Sequence, residues 1–123
     1  MRPDEPEGII MPVGNENLIR VARGLVSASP ATREETSELI CDWLHSYDRR
    51  EVSVIAGLLS SVAVLESERD CLESELHALS ELTGTGFIEA DHLTPLWALQ
   101  RQALRGSELE HFDYLASEYR APD

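Results

Sequence analysis

The chain has 123 residues, with 23 acids against 10 basic residues, all of them arginine, for a net charge of −13. That length supports one domain around one core. The charge repels nucleic acid and anionic membrane and favours basic partners. The absence of lysine excludes Schiff-base chemistry, a P-loop lysine and a lysine general base. No segment reaches the roughly 18 apolar residues of a membrane span. The opening MRPDEPEG has neither the basic nor the apolar region of a signal peptide. A cytoplasmic protein is expected, with Cys41 and Cys71 reduced and packed rather than joined.

Residues 1–14 carry three prolines, three acids and two glycines, and read as a flexible arm before a single helical domain over 15–123. Within the arm, Ile9, Ile10, Met11 and Val13 form an apolar patch suited to docking on the domain or on a partner. A first helix is expected from Asn15 to about Ala28, with Leu18, Ile19, Ala22, Leu25 and Val26 on one side, ended by Pro30. A second runs from about Arg33 to Tyr47. Thr32 and Glu35 stand at capping-box spacing, and Thr36, Leu39, Ile40, Trp43, Leu44 and Tyr47 share one arc. Glu38, Asp42 and His45 lie opposite, as a solvated face.

The third helix is the one the others should pack on. Val52 to Leu65 is fourteen residues without a charge, and Asp48 and Glu51 are spaced as N-cap and N3 before it. It should be buried all round, with Ile55, Leu59 and Val62 on a large face and Ser53, Ala56, Gly57 and Ser60 on a small one. A fourth helix is expected from about Glu68 to Leu82, capped by Ser67 and Asp70 and stopped at Gly84. Its inner arc is Leu72, Leu76, Leu79 and Leu82. Glu66, Asp70, Glu73, His77 and Glu81 form an outward stripe. Glu68 and Glu75 fall inside the apolar arc, where an acid needs a partner, an opening or a raised pKa.

Phe87 and Ile88 should plug the following loop into the core. Thr94–Pro95 reads as the start of a fifth helix to about Arg105, with Leu96, Leu99 and Ala103 inward. Ser107 and Glu110 cap a sixth to about Arg120, with Leu109, Phe112, Ala116 and Tyr119 inward and Tyr114 outward. The expected fold is all-α, an orthogonal bundle of five to six helices built from helical hairpins. HEAT-like stacking stays open, although no internal repeat stands out.

The chain has no G-x-G-x-x-G, P-loop, G-x-S-x-G or H-E-x-x-H. Three histidines follow an acid by three residues (Asp42–His45, Glu89–His92, Glu108–His111), the spacing found in di-iron bundles. The inward bridging glutamates of such a site are missing unless Glu68 and Glu75 serve. No catalytic residue, metal ligand or cofactor is therefore expected. Charge is uneven: residues 1–65 hold 10 acids and six arginines, net −4, and residues 66–123 hold 13 and four, net −9. The partner-binding face is expected at Glu66, Asp70, Glu73, His77 and Glu81, with Tyr114 beside them.

In size, acidity, helical hairpins and freedom from catalytic motifs, the chain resembles the small, acidic, all-helical immunity proteins of bacterial polymorphic-toxin systems. That resemblance implies stoichiometric inhibition of a cognate toxin domain, by covering its active site or locking its fold. It assigns no site residue. The function expected is a non-enzymatic inhibitor that binds a basic protein partner, with no nucleic acid or membrane. The alternatives are an acidic adaptor, regulatory subunit or nucleic-acid-mimicking regulator, and behind these a helical metal protein.

Overall fold

The uncharged run is the centre of the fold. In the structure, a computed structural model that describes residues 12–120, it lies within helix α3, Arg49–Leu65. Four more helices surround it: α1 Asn15–Leu25, α2 Pro30–Asp42, α4 Arg69–Leu82 and α5 Gly106–Tyr119. The described residues form an all-α bundle with 3-10 segments in the connections and no strand. None of these helices is long and apolar enough to cross a membrane.

The start of α3 follows the expected chemistry. Asp48 accepts the Glu51 N–H at 2.8 Å, and the Glu51 carboxylate accepts the Asp48 N–H at 3.0 Å, a complete capping box. Glu51 does more than cap: it also accepts from Val13 N–H at 3.3 Å and Gly14 N–H at 2.9 Å. Val13 and Gly14, at the end of the expected arm, are thereby tied to the start of α3. Ile9, Ile10 and Met11 lie outside the described residues.

Val52, Ile55, Ala56, Leu59, Ser60 and Ala63 of α3 are buried. All but Ser60 meet Leu18, Val21 and Leu25 of α1, Ile40 of α2, Leu72, Leu76, Leu79 and Leu82 of α4, and Phe112 and Leu115 of α5 in one core. The helix is not sealed all round: Val54 and Leu65 are exposed and Val62 is only half-buried. The close helix approach expected at Gly57 is elsewhere. A Cβ at Gly57 would meet nothing within 4 Å, whereas one at Gly24 of α1 would overlap the Thr36 side chain of α2.

Several boundaries differ from those expected, each for a local reason. Pro30 does not end α1 but opens α2 at N1, where its missing N–H costs nothing. Ser29 is the cap, accepting the Thr32 N–H at 3.3 Å, so Thr32–Glu35 is not a capping box. α2 stops at Asp42, and Leu44–Ser46 continues as a 3-10 turn. Its steeper rotation takes Trp43 and Leu44 partly out of the core while Tyr47 is buried, its hydroxyl donating to Ile40 O at 3.1 Å. α4 gives way to a 3-10 turn at Thr83–Thr85, and the left-handed stop is Gly86, φ 78°, not Gly84.

The expected fifth α-helix is instead two 3-10 segments, Ala90–Ala98 and Arg101–Ala103. Leu93, Leu96 and Leu99 recur every three residues, which puts them on one face only at 3.0 residues per turn. Leu93 and Leu96 are fully buried against α3 and Leu99 is half-buried, while Ala103 is exposed. α5 starts at Gly106, and its capping carboxylate is Glu108, which accepts the Arg105 N–H at 3.1 Å, so the expected Ser107–Glu110 box is not used. Likewise Ser67 does not cap α4; Glu68 is its N-cap, exposed and outside the apolar arc. Ile88 is buried and Phe87 half-buried, so that loop is anchored as expected.

Candidate interaction surface

Four glutamates lie inside the described structure: Glu51, Glu75 and Glu108 are buried residues, and the Glu66 side chain is 1% exposed. A buried carboxylate must find donors or keep its proton. Glu51 has the three backbone N–H groups already described. Glu108 accepts from Arg69 Nη2 at 2.8 Å and from Arg105 N–H. Glu66 accepts Arg33 Nε and Nη2, both at 2.8 Å, in a bidentate pair, and the Glu68 N–H at 3.1 Å. Arg33 also donates to Ser27 O at 2.9 Å.

Glu66 therefore does not belong to the outward stripe. It sits just beyond the last residue of α3, and its backbone N–H still reaches Ala63 O. α4 begins three residues later, so the helical spacing from Glu66 to Asp70 is broken at the turn between them. Burial opposes the Glu66 charge, but the hydrogen bonds from Arg33, Glu75 and Glu68 hold its pKa down at about 2.

Glu75 is the exception among the four. It is fully buried, and neither of its oxygens meets an N–H or O–H donor among the described residues. The expected arginine is close, but Arg33 is committed to Glu66. Burial, then the hydrogen bond to Glu66 and its negative charge, push Glu75 up to about 9 against the weaker pull of Arg33. Protonated, it donates to Glu66, so the two acids hold one proton between them. Cys71 adjoins this cluster. Its thiol donates to Pro30 O at 3.1 Å, and burial raises its pKa, which makes it a packing residue rather than a nucleophile. Cys41 and Cys71 are both free thiols.

The rest of the stripe is at the surface, and most of it is engaged. Asp70 is exposed in the first turn of α4, where a negative charge favours the helix dipole. Glu73 accepts from Ser107 Oγ at 3.2 Å and lies 3.5 Å from His111 Nε2. His77 Nε2 is 3.3 Å from Glu81 Oε1, and the His77 and His111 rings are 5.3 Å apart. Tyr114 is exposed, with its hydroxyl 3.2 Å from Thr83 Oγ1. Packing of α5 on α4 thus brings Tyr114 beside the stripe. It also adds His111, bonded to Ser80 at 3.3 Å, which sequence spacing had linked to Glu108.

The larger difference lies across α2. Glu38, Asp42 and His45 are exposed there, as expected, but they are not a separate face. α2 packs extensively on α4, and Cys41 of α2 is partly buried against the core. Burial first, then the charges of Glu81, Asp42 and Glu38, push its thiol up to about 11. Acids of both helices thus act on the same thiol. At the end of this seam a groove of about 560 Å³ is lined by Leu44, His45, Tyr47, Glu81, Gly84, Thr85 and Phe87.

The acid–histidine pairs do not converge. Asp42 and His45 are on the α2 side, Glu89 and His92 close their own turn with His92 Nδ1 at 3.1 Å from the Glu89 N–H, and Glu108 is held by Arg69. Among the described residues, no three or more His, Cys, Asp or Glu are placed to share a metal ion. No protein-family model matches this chain, nor does any curated protein or solved structure.

Proposed function

We propose that this chain is a non-enzymatic protein-binding module that captures a basic domain on the joined acidic surface of α2 and α4. The observation that carries this reading is the packing of α2 on α4, which leaves Glu38 and Asp42 exposed on one helix and Asp70 and Glu81 exposed on its neighbour, with Glu73 partly exposed. With a net charge of −13, such a surface steers a cationic partner and accelerates encounter. Within this class the chain is an inhibitor of the immunity type, neutralising a basic toxin domain in the cytoplasm by direct binding. Glu66 is left out of the binding set, which becomes Asp70, Glu73, His77, Glu81 and Tyr114 together with Glu38 and Asp42.

A second reading, an adaptor or regulatory subunit, is favoured by a different observation. Leu65 is 84% exposed and Val26 64% exposed, and both line a groove of about 320 Å³ over Arg33 and Glu66. Solvent-facing aliphatics of this kind mark contact surfaces when they cluster.

The test is affinity capture from the native host at low salt, followed by titration of the retained protein against the purified chain. The inhibitor reading expects a basic partner whose on-rate falls with salt more than its off-rate rises. It also expects protection of cells carrying that partner when the partner is toxic. A partner held with salt-independent affinity, and lost on Leu65→Asp, would favour the adaptor instead.

A further inference from the structure

We propose that the groove at the end of the α2–α4 seam seats an arginine side chain of the basic partner, making it the anchor point of the acidic surface. This rests on the capture reading above and adds where the partner is gripped. The groove has the two parts such a side chain needs. Its apolar wall is Leu44, Tyr47 and Phe87. Tyr47 presents ring only, because its hydroxyl is spent on Ile40 O, and the Thr85 hydroxyl is likewise spent on Leu82 O while accepting from Phe87 N–H. Its charged edge is Glu81, and the exposed Asp42 stands three residues before the groove residue His45.

An apolar wall with a carboxylate edge suits a cation on an aliphatic stem. An anion would meet Glu81, and a purely apolar side chain would bury it without compensation. Arginine suits it better than lysine, because a guanidinium is less strongly hydrated and pairs with a carboxylate through two donors. The volume of about 560 Å³ lies within the span of roughly 300–1,000 Å³ typical of ligand sites. Arg49, stacked on Phe87 at 4.8 Å, shows the same chemistry from within the chain on that ring.

The test is an amide-resolved NMR titration of the full chain at low salt. The probe is a blocked arginine-containing tetrapeptide, compared with its norleucine and glutamate counterparts. Shifts concentrated at His45, Gly84, Thr85 and Phe87 are expected for the arginine peptide, with at least tenfold weaker binding of the other two. Two variants localise the grip. Glu81→Gln removes the charge, and Gly84→Leu fills the groove from a position where a Cβ meets nothing within 4 Å. Each should weaken the arginine peptide at least tenfold without altering the melting temperature appreciably. Equal binding of norleucine, or shifts confined to Asp70 and Glu73 and unchanged by Gly84→Leu, would overturn the anchor while leaving acidic capture standing. Absence of arginine-specific shifts anywhere on α2 or α4 would overturn both.

Discussion

Glu75 and Glu81 are glutamates of the same helix with opposite physics. Glu75 faces inward, finds Arg33 already taken by Glu66, and keeps its proton. Glu81 faces outward, shares a surface pair with His77 and borders an open groove. The inward cluster contributes to folding and its protons are coupled to stability. The outward carboxylates are close to neutral for stability, because exposed pairs contribute about 0–1 kcal/mol. An acidic composition alone does not separate these two uses; the burial of each side chain and the donors it meets do.

The comparison can be broken first at Glu66. Glu66→Ala leaves Arg33 without its counter-charge and Glu75 without an acceptor, so a loss of about 3 kcal/mol is expected in chemical denaturation. A loss under about 1 kcal/mol would mean that the pair is not integral to the fold.

The next effect concerns pH. Glu75 has a folded pKa of about 9, raised from 4.5, so between these values the folded state holds a proton that the unfolded state has lost. Its contribution is fully present below the unfolded pKa and is lost as pH rises to the folded one, roughly 1 kcal/mol per pH unit in that window. Glu66, lowered to about 2, works in the other direction: its contribution is present above pH 4.5 and is lost as pH falls toward 2. Together they place the stability maximum of this cluster near pH 4.5, and Glu75→Gln should flatten the alkaline side. Parallel stability curves for the wild type and Glu75→Gln from pH 5 to 9 would remove the buried proton.

Outward changes should be far smaller. Asp70→Arg is expected to cost about 0.5 kcal/mol, through the helix dipole, and Glu81→Arg no more than that. Tyr114→Phe, which gives up one exposed bond to Thr83, should change stability by less than about 0.5 kcal/mol, measured by thermal or denaturant melting.

Much of the fold was legible in local pattern. The Asp48–Glu51 box, the uncharged run within α3 and the leucine arc of α4 are short-range signals, and all three stand where expected. The conflict at Glu75 was legible as well, since an acid flanked by Leu72, Leu76 and Leu79 has no polar face to turn to. What the sequence did not disclose were contacts between distant segments. Arg33 claims Glu66 from 33 residues away, and Glu73 meets Ser107 across 34. Nothing in local spacing joins Glu38 and Asp42 to Glu81 either. The missed 3-10 segment at Ala90–Ala98 is a different failure. Its three-residue leucine repeat is in the sequence, but Thr94–Pro95 and Leu96, Leu99 and Ala103 also fit an α-helical period.

The division of labour on α4 is tested most directly by titrating an arginine-rich helical peptide against three forms of the chain: wild type, Asp70→Arg with Glu81→Arg, and Glu75→Gln. Each is measured at low and at physiological salt. Outward acids that capture and an inward acid that folds require Glu75→Gln to bind as the wild type does. They also require the double reversal to lose at least tenfold in affinity, about 1.4 kcal/mol, along with most of the salt dependence. Equal affinity and equal salt response in the wild type and the double reversal would contradict this, and would leave the outward carboxylates of α4 as no more than a solvated surface.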